Sequence, residues 1–151
     1  MHDPSPADDE DDVDHDRGAG DHDAQRDTTT VRGRRAEDVA LRHLEHAGLQ
    51  LLTRNYRCRG GEIDLVMFEP ATRTLVIVEV RSRGRRDFGS AASTIGWAKQ
   101  RRIVLAARHL LLARRKLRRL RARFDVVALD PAADRSGAVE VTWIRGAFGS
   151  D

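Results

Sequence analysis

Gly61-Glu62-Ile63-Asp64-Leu65-Val66 and then Leu75-Val76-Ile77-Val78-Glu79-Val80-Arg81 are the stretches on which the fold turns. Both are apolar runs bounded by turn residues, which predicts two strands. Side chains on a strand alternate between its faces, so Glu79 and Arg81 share one face and Val78 and Val80 the other. Asp64 and Glu79 each interrupt an apolar run. Burying an acid is costly unless it is paired or holds a metal. One economical account is a shared divalent-cation site at the edge of a small sheet. A structural ion pair with Arg81 or Arg54 accounts for the same acids, because such pairs are common.

Working outward, residues 49–56 predict a strand, 57–61 a turn ending in Gly-Gly, and 62–68 a second strand. Residues 69–73, with Pro70, predict a turn, and 74–81 the third strand. Upstream, Ala36, Val39, Ala40, Leu44 and Ala47 recur at helical spacing, and Gly48 follows as a C-cap. They predict a helix over residues 34–47. Downstream, the polar stretch 82–93 predicts a loop. Ile95, Ala98, Ile103, Ala106, Ala107, Leu110 and Leu111 predict a helix over 94–113. Residues 114–123 extend that helix or form a basic loop, and 124–129 and 139–144 predict two more strands. The order α-β-β-β-α-β-β is that of an α/β sandwich with a mixed sheet.

The formal net charge of +3 hides a division. Residues 1–30 hold eleven Asp or Glu and two Arg, a charge of −9, while residues 31–151 carry +12. The first stretch lacks large apolar groups and is expected to be a disordered acidic tail. Residues 31–151 are expected to form one domain. A basic body behind an acidic tail suits a nucleic-acid binder. Lys99 and Lys116 are the only lysines, so arginine dominates, and its planar fork matches phosphate. The lone Cys58 excludes a disulfide within the chain and a cysteine-rich zinc site. With no signal-peptide pattern and no long apolar run, a cytoplasmic location without membrane association is expected.

Four motifs together carry a resemblance. They are Gly33-Arg34-Arg35-Ala36-Glu37-Asp38-Val39-Ala40, Leu52-Thr53-Arg54-Asn55-Tyr56-Arg57, Gly61-Glu62-Ile63-Asp64-Leu65-Val66 and Val78-Glu79-Val80-Arg81-Ser82-Arg83. With Phe88-Gly89, Lys99-Gln100-Arg101-Arg102 and Arg123-Phe124-Asp125-Val126-Val127, the chain over residues 32–148 resembles the YraN-like uncharacterised protein family. That family looks like the PD-(D/E)xK nucleases and, among them, the Holliday-junction resolvases. The resemblance implies a restriction-endonuclease-like three-layer sandwich. It also implies a metal-dependent endonuclease or resolvase-like phosphodiesterase acting on structured or branched DNA. The alternative is a catalytically inactive nucleic-acid-binding module of the same fold.

Under the resemblance, Asp64 and Glu79 hold Mg²⁺ or Mn²⁺ with the Val80 carbonyl as a third ligand, since oxygen ligands suit these ions. Glu37 assists as an outer or second-metal ligand; alone, it is equally a first-turn glutamate favoured by the helix dipole. Glu62 supports the site or simply opens its strand. Arg81 stands where the nuclease motif has lysine. It stabilises phosphate charge but cannot serve readily as a base. Lys99 or Gln100 is then a relocated partner of the site, and Lys99 is otherwise a surface charge. Backbone phosphate contacts are expected from the run Arg114, Arg115, Lys116, Arg118, Arg119, Arg121 and Arg123, and from Arg83, Arg85 and Arg86 at the mouth. The acidic tail is a candidate competitor for the same surface. Trp97, Trp143, Tyr56 and Phe148 are expected in the core or at its rim. A homodimer is expected from the resolvase likeness alone.

Overall fold

The computed structural model describes residues 20–82, 95–134 and 136–150, with side chains from residue 30 onward. Helix α1 spans Gly20–His46. It starts well before the expected residue 34. No proline stands between residues 20 and 46 to stop it. Residues 1–19 of the expected tail lie outside the described residues, and from Gly20 the backbone is helical. The C-terminus follows the expected signal. Gly48 adopts φ 94°, its N–H donates to the Glu45 carbonyl, and the Leu49 N–H donates to the Leu44 carbonyl. This is a Schellman stop, closed by burial of both Leu44 and Leu49.

Strands β1 (Gln50–Cys58), β2 (Gly61–Glu69) and β3 (Thr74–Ser82) form an antiparallel meander. Helix α2 (Trp97–Ala113) and a short 3₁₀ turn (Arg115–Arg119) cross back to β4 (Arg121–Pro131), which runs parallel to β3. Strand β5 (Val139–Phe148) closes the sheet antiparallel to β4. The five strands lie in sequence order in one mixed, open sheet. The basic run therefore divides: its first part makes the 3₁₀ turn and its last part enters β4.

The period-2 pattern puts the two sides of the sheet under different helices. Leu65, Met67, Val76, Val78, Val127 and Leu129 pack under Ala36, Ala40 and Leu44 of α1. Val66, Leu75, Ile77 and Phe124 pack under Ile103, Ala106, Ala107 and Leu110 of α2. The result is a three-layer α/β sandwich. Both faces of β3 are buried, which explains its nearly unbroken apolar run. No described helix is long and apolar enough to cross a membrane.

Helix α2 lies unusually close to the sheet at one point. A Cβ on Gly61 would stand 2.3 Å from the Arg102 carbonyl oxygen. Only glycine permits that approach. It fixes the first turns of α2 over the ends of β2 and β3.

Candidate functional site

Strands β2 and β3 pair from Glu69↔Thr74 up to Leu65↔Val78 and no further. Asp64 follows the last pair. Its Oδ2 accepts from the Val80 N–H at 2.8 Å, so a side chain replaces the missing ladder acceptor. The N–H and C=O of one strand residue point to the same side, so the Val80 carbonyl opens into the same gap. The site lies where two interior strands part, not at the lateral edge of the sheet. The reason is topological, since β1 and β4 cover the outer sides of this pair.

Glu79 enters the gap from β3 and is only 3% exposed. Its carboxyl lies against that of Asp64. Burial, and then the charge of Asp64, push Glu79 up to about 7. Burial also raises Asp64, against the pull of the Val80 N–H. Two carboxyls this close disfavour joint ionisation, so the pair holds a proton more tightly than isolated carboxyls do. Lys99 Nζ, from the first turns of α2, lies 3.4 Å from Glu79 Oε1. Glu79 Oε2 is buried and has no hydrogen-bond partner among the described residues. Arg81 lies two residues further along β3 on the Glu79 side and is half-buried.

The other expected residues distribute as follows. Glu37 accepts from Asn55 Nδ2 at 3.1 Å and lies 3.5 Å from Arg54 Nη2, while Asp38 holds the same guanidinium at 2.8 Å. These contacts join α1 to β1. Arg54 is thereby engaged away from Asp64 and Glu79. Glu62 pairs with Arg57 at 3.1 Å and adds its charge to the field on Asp64. Gln100 bonds the Ile95 carbonyl, leaving Lys99 as the residue that reaches the pair. Arg83, Arg85 and Arg86 lie outside the described residues.

The basic run stands past the far end of α2, which lies about 21 Å along the helix from Lys99. Arg114, Arg115, Lys116 and Arg119 are exposed there. Arg118 donates to the Leu111 carbonyl at 2.9 Å and so caps α2. Arg123 turns inward to Glu69 and Asp125, because its strand side faces the α1 layer. Trp143 and Phe148 pack on the core and Tyr56 bonds His109, as expected. Trp97 does not: it is 71% exposed, on the outer side of α2, with Arg101 over its ring. The inner side of that turn is taken by Lys99 and Ile103.

Among the described residues no group of three or more His, Cys, Asp or Glu side chains converges. A cation here would have two carboxylates and a main-chain carbonyl. That donor set suits a hard ion that keeps waters. The orphaned Glu79 oxygen fits it, since a ligand would satisfy a buried acceptor that the protein leaves unpaired.

A three-layer α/β protein with a carboxyl pair at a strand fork is thus the class that fold and site define. The chain belongs to the uncharacterised protein family UPF0102, whose model matches residues 36–129. A UPF0102 protein of Cupriavidus taiwanensis is 52% identical over 127 residues, covering 84% of this chain and 89% of its own. One from Dechloromonas aromatica is 49% identical over 125 residues, 83% and 94% of the two chains. A third, from Saccharophagus degradans, is 47% identical over 116 residues, 77% and 91% of the two. The matched segment contains Asp64, Glu79, Arg81 and Lys99.

Proposed function

We propose that this protein is a Mg²⁺- or Mn²⁺-dependent phosphodiesterase acting on structured or branched DNA. The observation that carries the reading is the Asp64–Glu79 pair. Glu79 is buried and Asp64 half-buried against it, and among the described residues one Glu79 oxygen is left unsatisfied while Lys99 reaches the other. Stable folds avoid such an arrangement unless a ligand completes it. Asp64, Glu79 and the Val80 carbonyl would hold the cation, which supplies charge neutralisation at the scissile phosphate and an activated water. Glu79 must lose its proton to ligate, so affinity rises with pH through neutrality.

Lys99 balances the pair's charge and is placed to orient a water or a phosphate oxygen. Arg81, permanently charged, stabilises the phosphate as charge builds. Glu37 acts at a distance, by setting α1 against β1. Exposed cations close to the pair bind the backbone, and a homodimer would present two such sites to a branch.

Cleavage of labelled linear, flapped and four-way-junction DNA with Mn²⁺ tests this, alongside Asp64→Ala and Glu79→Ala. The expected result is metal-dependent cleavage that both variants abolish. A second reading, a binding module without catalysis, takes its support from Arg81 in the lysine position. DNA binding with no cleavage under any divalent ion would select it.

A further inference from the structure

A basic surface lies much nearer the carboxyl pair than the Arg114–Arg119 segment does. The turn joining β1 to β2 rests directly on α2. The hypothetical Cβ of Gly61 meets the Arg102 carbonyl, and that of Gly60 would stand 3.3 Å from Leu105 Cβ. The turn meets the helix at the Arg102 backbone and the base of the Leu105 side chain. This contact places Arg57 and Arg59 of the hairpin, Lys99 and Arg102 of α2, and Glu62 around one open cleft.

Glu62 neutralises Arg57, and Lys99 is engaged by Glu79. Arg59 and Arg102 are exposed, and no acid among the described residues pairs with either. Helix α2 also starts here without a side-chain cap and without an acid in its first turn. Its dipole therefore adds to the positive potential. Lys99 lines the cleft and also pairs with Glu79, which joins the cleft to the carboxyl pair.

We infer that this hairpin–helix cleft is the track for the sugar-phosphate backbone of DNA, with Arg59 and Arg102 each taking a phosphate. The planar guanidinium suits that contact. The Gly60–Gly61 seat on α2 holds the two arginines at a fixed separation, as a backbone with regularly spaced charges requires. Contacts of this kind carry no base information, so binding is independent of sequence. What lies at the end of the track rests on the phosphodiesterase reading; the track itself needs no metal.

The test is fluorescence anisotropy of the full chain on a labelled duplex and a four-way junction, in EDTA, across a salt series. Wild type is compared with Arg59→Ala/Arg102→Ala and with Arg115→Ala/Arg119→Ala, which spares the cap Arg118. Circular dichroism checks that the exposed substitutions leave the fold intact. The hairpin–helix variant is expected to bind roughly tenfold more weakly. Its slope of log affinity against log salt should be shallower by about 2, near 0.9 for each phosphate lost. The far-end variant should stay within about twofold of wild type. Equal affinity and slope for Arg59→Ala/Arg102→Ala, a loss confined to Arg115→Ala/Arg119→Ala, or no binding by wild type would each overturn the track. Cleavage with Mn²⁺ is scored separately. Binding through these arginines without cleavage removes the phosphodiesterase reading and leaves the track. Cleavage with unimpaired binding by the arginine variant does the reverse.

Discussion

Two pairs of acids, buried except for the half-buried Asp64, lie on opposite faces of the same sheet, and they are treated oppositely. On the α1 side, Asp125 is fully buried and accepts from Arg123 at 2.8 and 2.9 Å, from Trp143 Nε1 at 3.0 Å and from the Gly146 N–H at 2.9 Å. Glu69 shares the same guanidinium and also takes the Thr72 hydroxyl, and these contacts hold it below the usual carboxylate range. On the α2 side, Asp64 and Glu79 face each other with one half-exposed lysine and a surplus oxygen. The first group spends its charge on tying β2, β4 and β5 together. The second retains unused bonding capacity, which is what a ligand site requires.

The largest effect that should separate them is on stability. Asp125→Ala leaves Trp143 Nε1 and the Gly146 N–H without their acceptor and Arg123 with Glu69 alone. It should cost about 3–5 kcal/mol in chemical denaturation. At pH 7 and above, where the Glu79 carboxyl gives up its proton, Glu79→Gln should stay within roughly 1 kcal/mol of wild type, because it removes a charge the site does not fully solvate. The reverse ranking would make Glu79 the structural acid.

Gly61→Ala comes next. The methyl must displace the α2 backbone at Arg102, at a cost of about 1–3 kcal/mol. Lys99 moves with the helix, so any metal-dependent cleavage should fall further than stability alone explains. A variant that is destabilised yet fully active would uncouple the close approach from the site.

The pH dependence of stability, measured in EDTA, probes the pair by itself. Glu79 has its folded value raised from 4.5 to about 7. The folded state therefore holds this proton more tightly than the unfolded chain. Its stabilising contribution is complete below about pH 4.5 and is lost as pH rises towards 7. Wild type minus Glu79→Gln should decline by on the order of 1–3 kcal/mol across that window and then level off. Glu69 behaves with the opposite sign. Its folded value is lowered, so its contribution is present above about 4.5 and fades as pH falls. A difference curve that is flat from pH 4.5 to 7 would mean Glu79 is not the proton carrier. The smallest effect is expected at Arg118→Ala, about 0.3–1 kcal/mol for a lost helix C-terminal cation, with DNA affinity nearly unchanged.

Much of the fold was legible because it depends on local pattern. Period-2 runs marked the strands, the Gly48 stop ended α1 where expected, and the element order follows directly from both. Boundaries were less legible. Strands β4 and β5 run past the expected 124–129 and 139–144, since pairing extends them through Arg121, Ala122 and Arg123 and through Arg145, Gly146 and Phe148. Trp97 read as a core aromatic because its bulk carries no directional signal. Only the angle around α2 turns it outward. Arg59 and Arg102 gave no signal as single surface arginines. Their neighbour Gly60-Gly61 did, since adjacent glycines in a turn mark a close backbone approach.

The sequence by itself determined the α/β class, the apolar faces and the presence of acids inside apolar runs. It did not say what those acids are for. Asp125, flanked by Phe124 and Val126, has the same local signature as Asp64 between Ile63 and Leu65 or Glu79 between Val78 and Val80. Local hydrophobicity reports only that a charge will be buried. Whether it is paired depends on donors the fold supplies: Trp143 and Gly146, distant in sequence, beside the neighbouring Arg123 for Asp125, and Lys99 among the described residues for Glu79. Tertiary structure assigned those partners, because desolvation makes a buried charge answer to whatever neighbour the fold brings within about 3 Å.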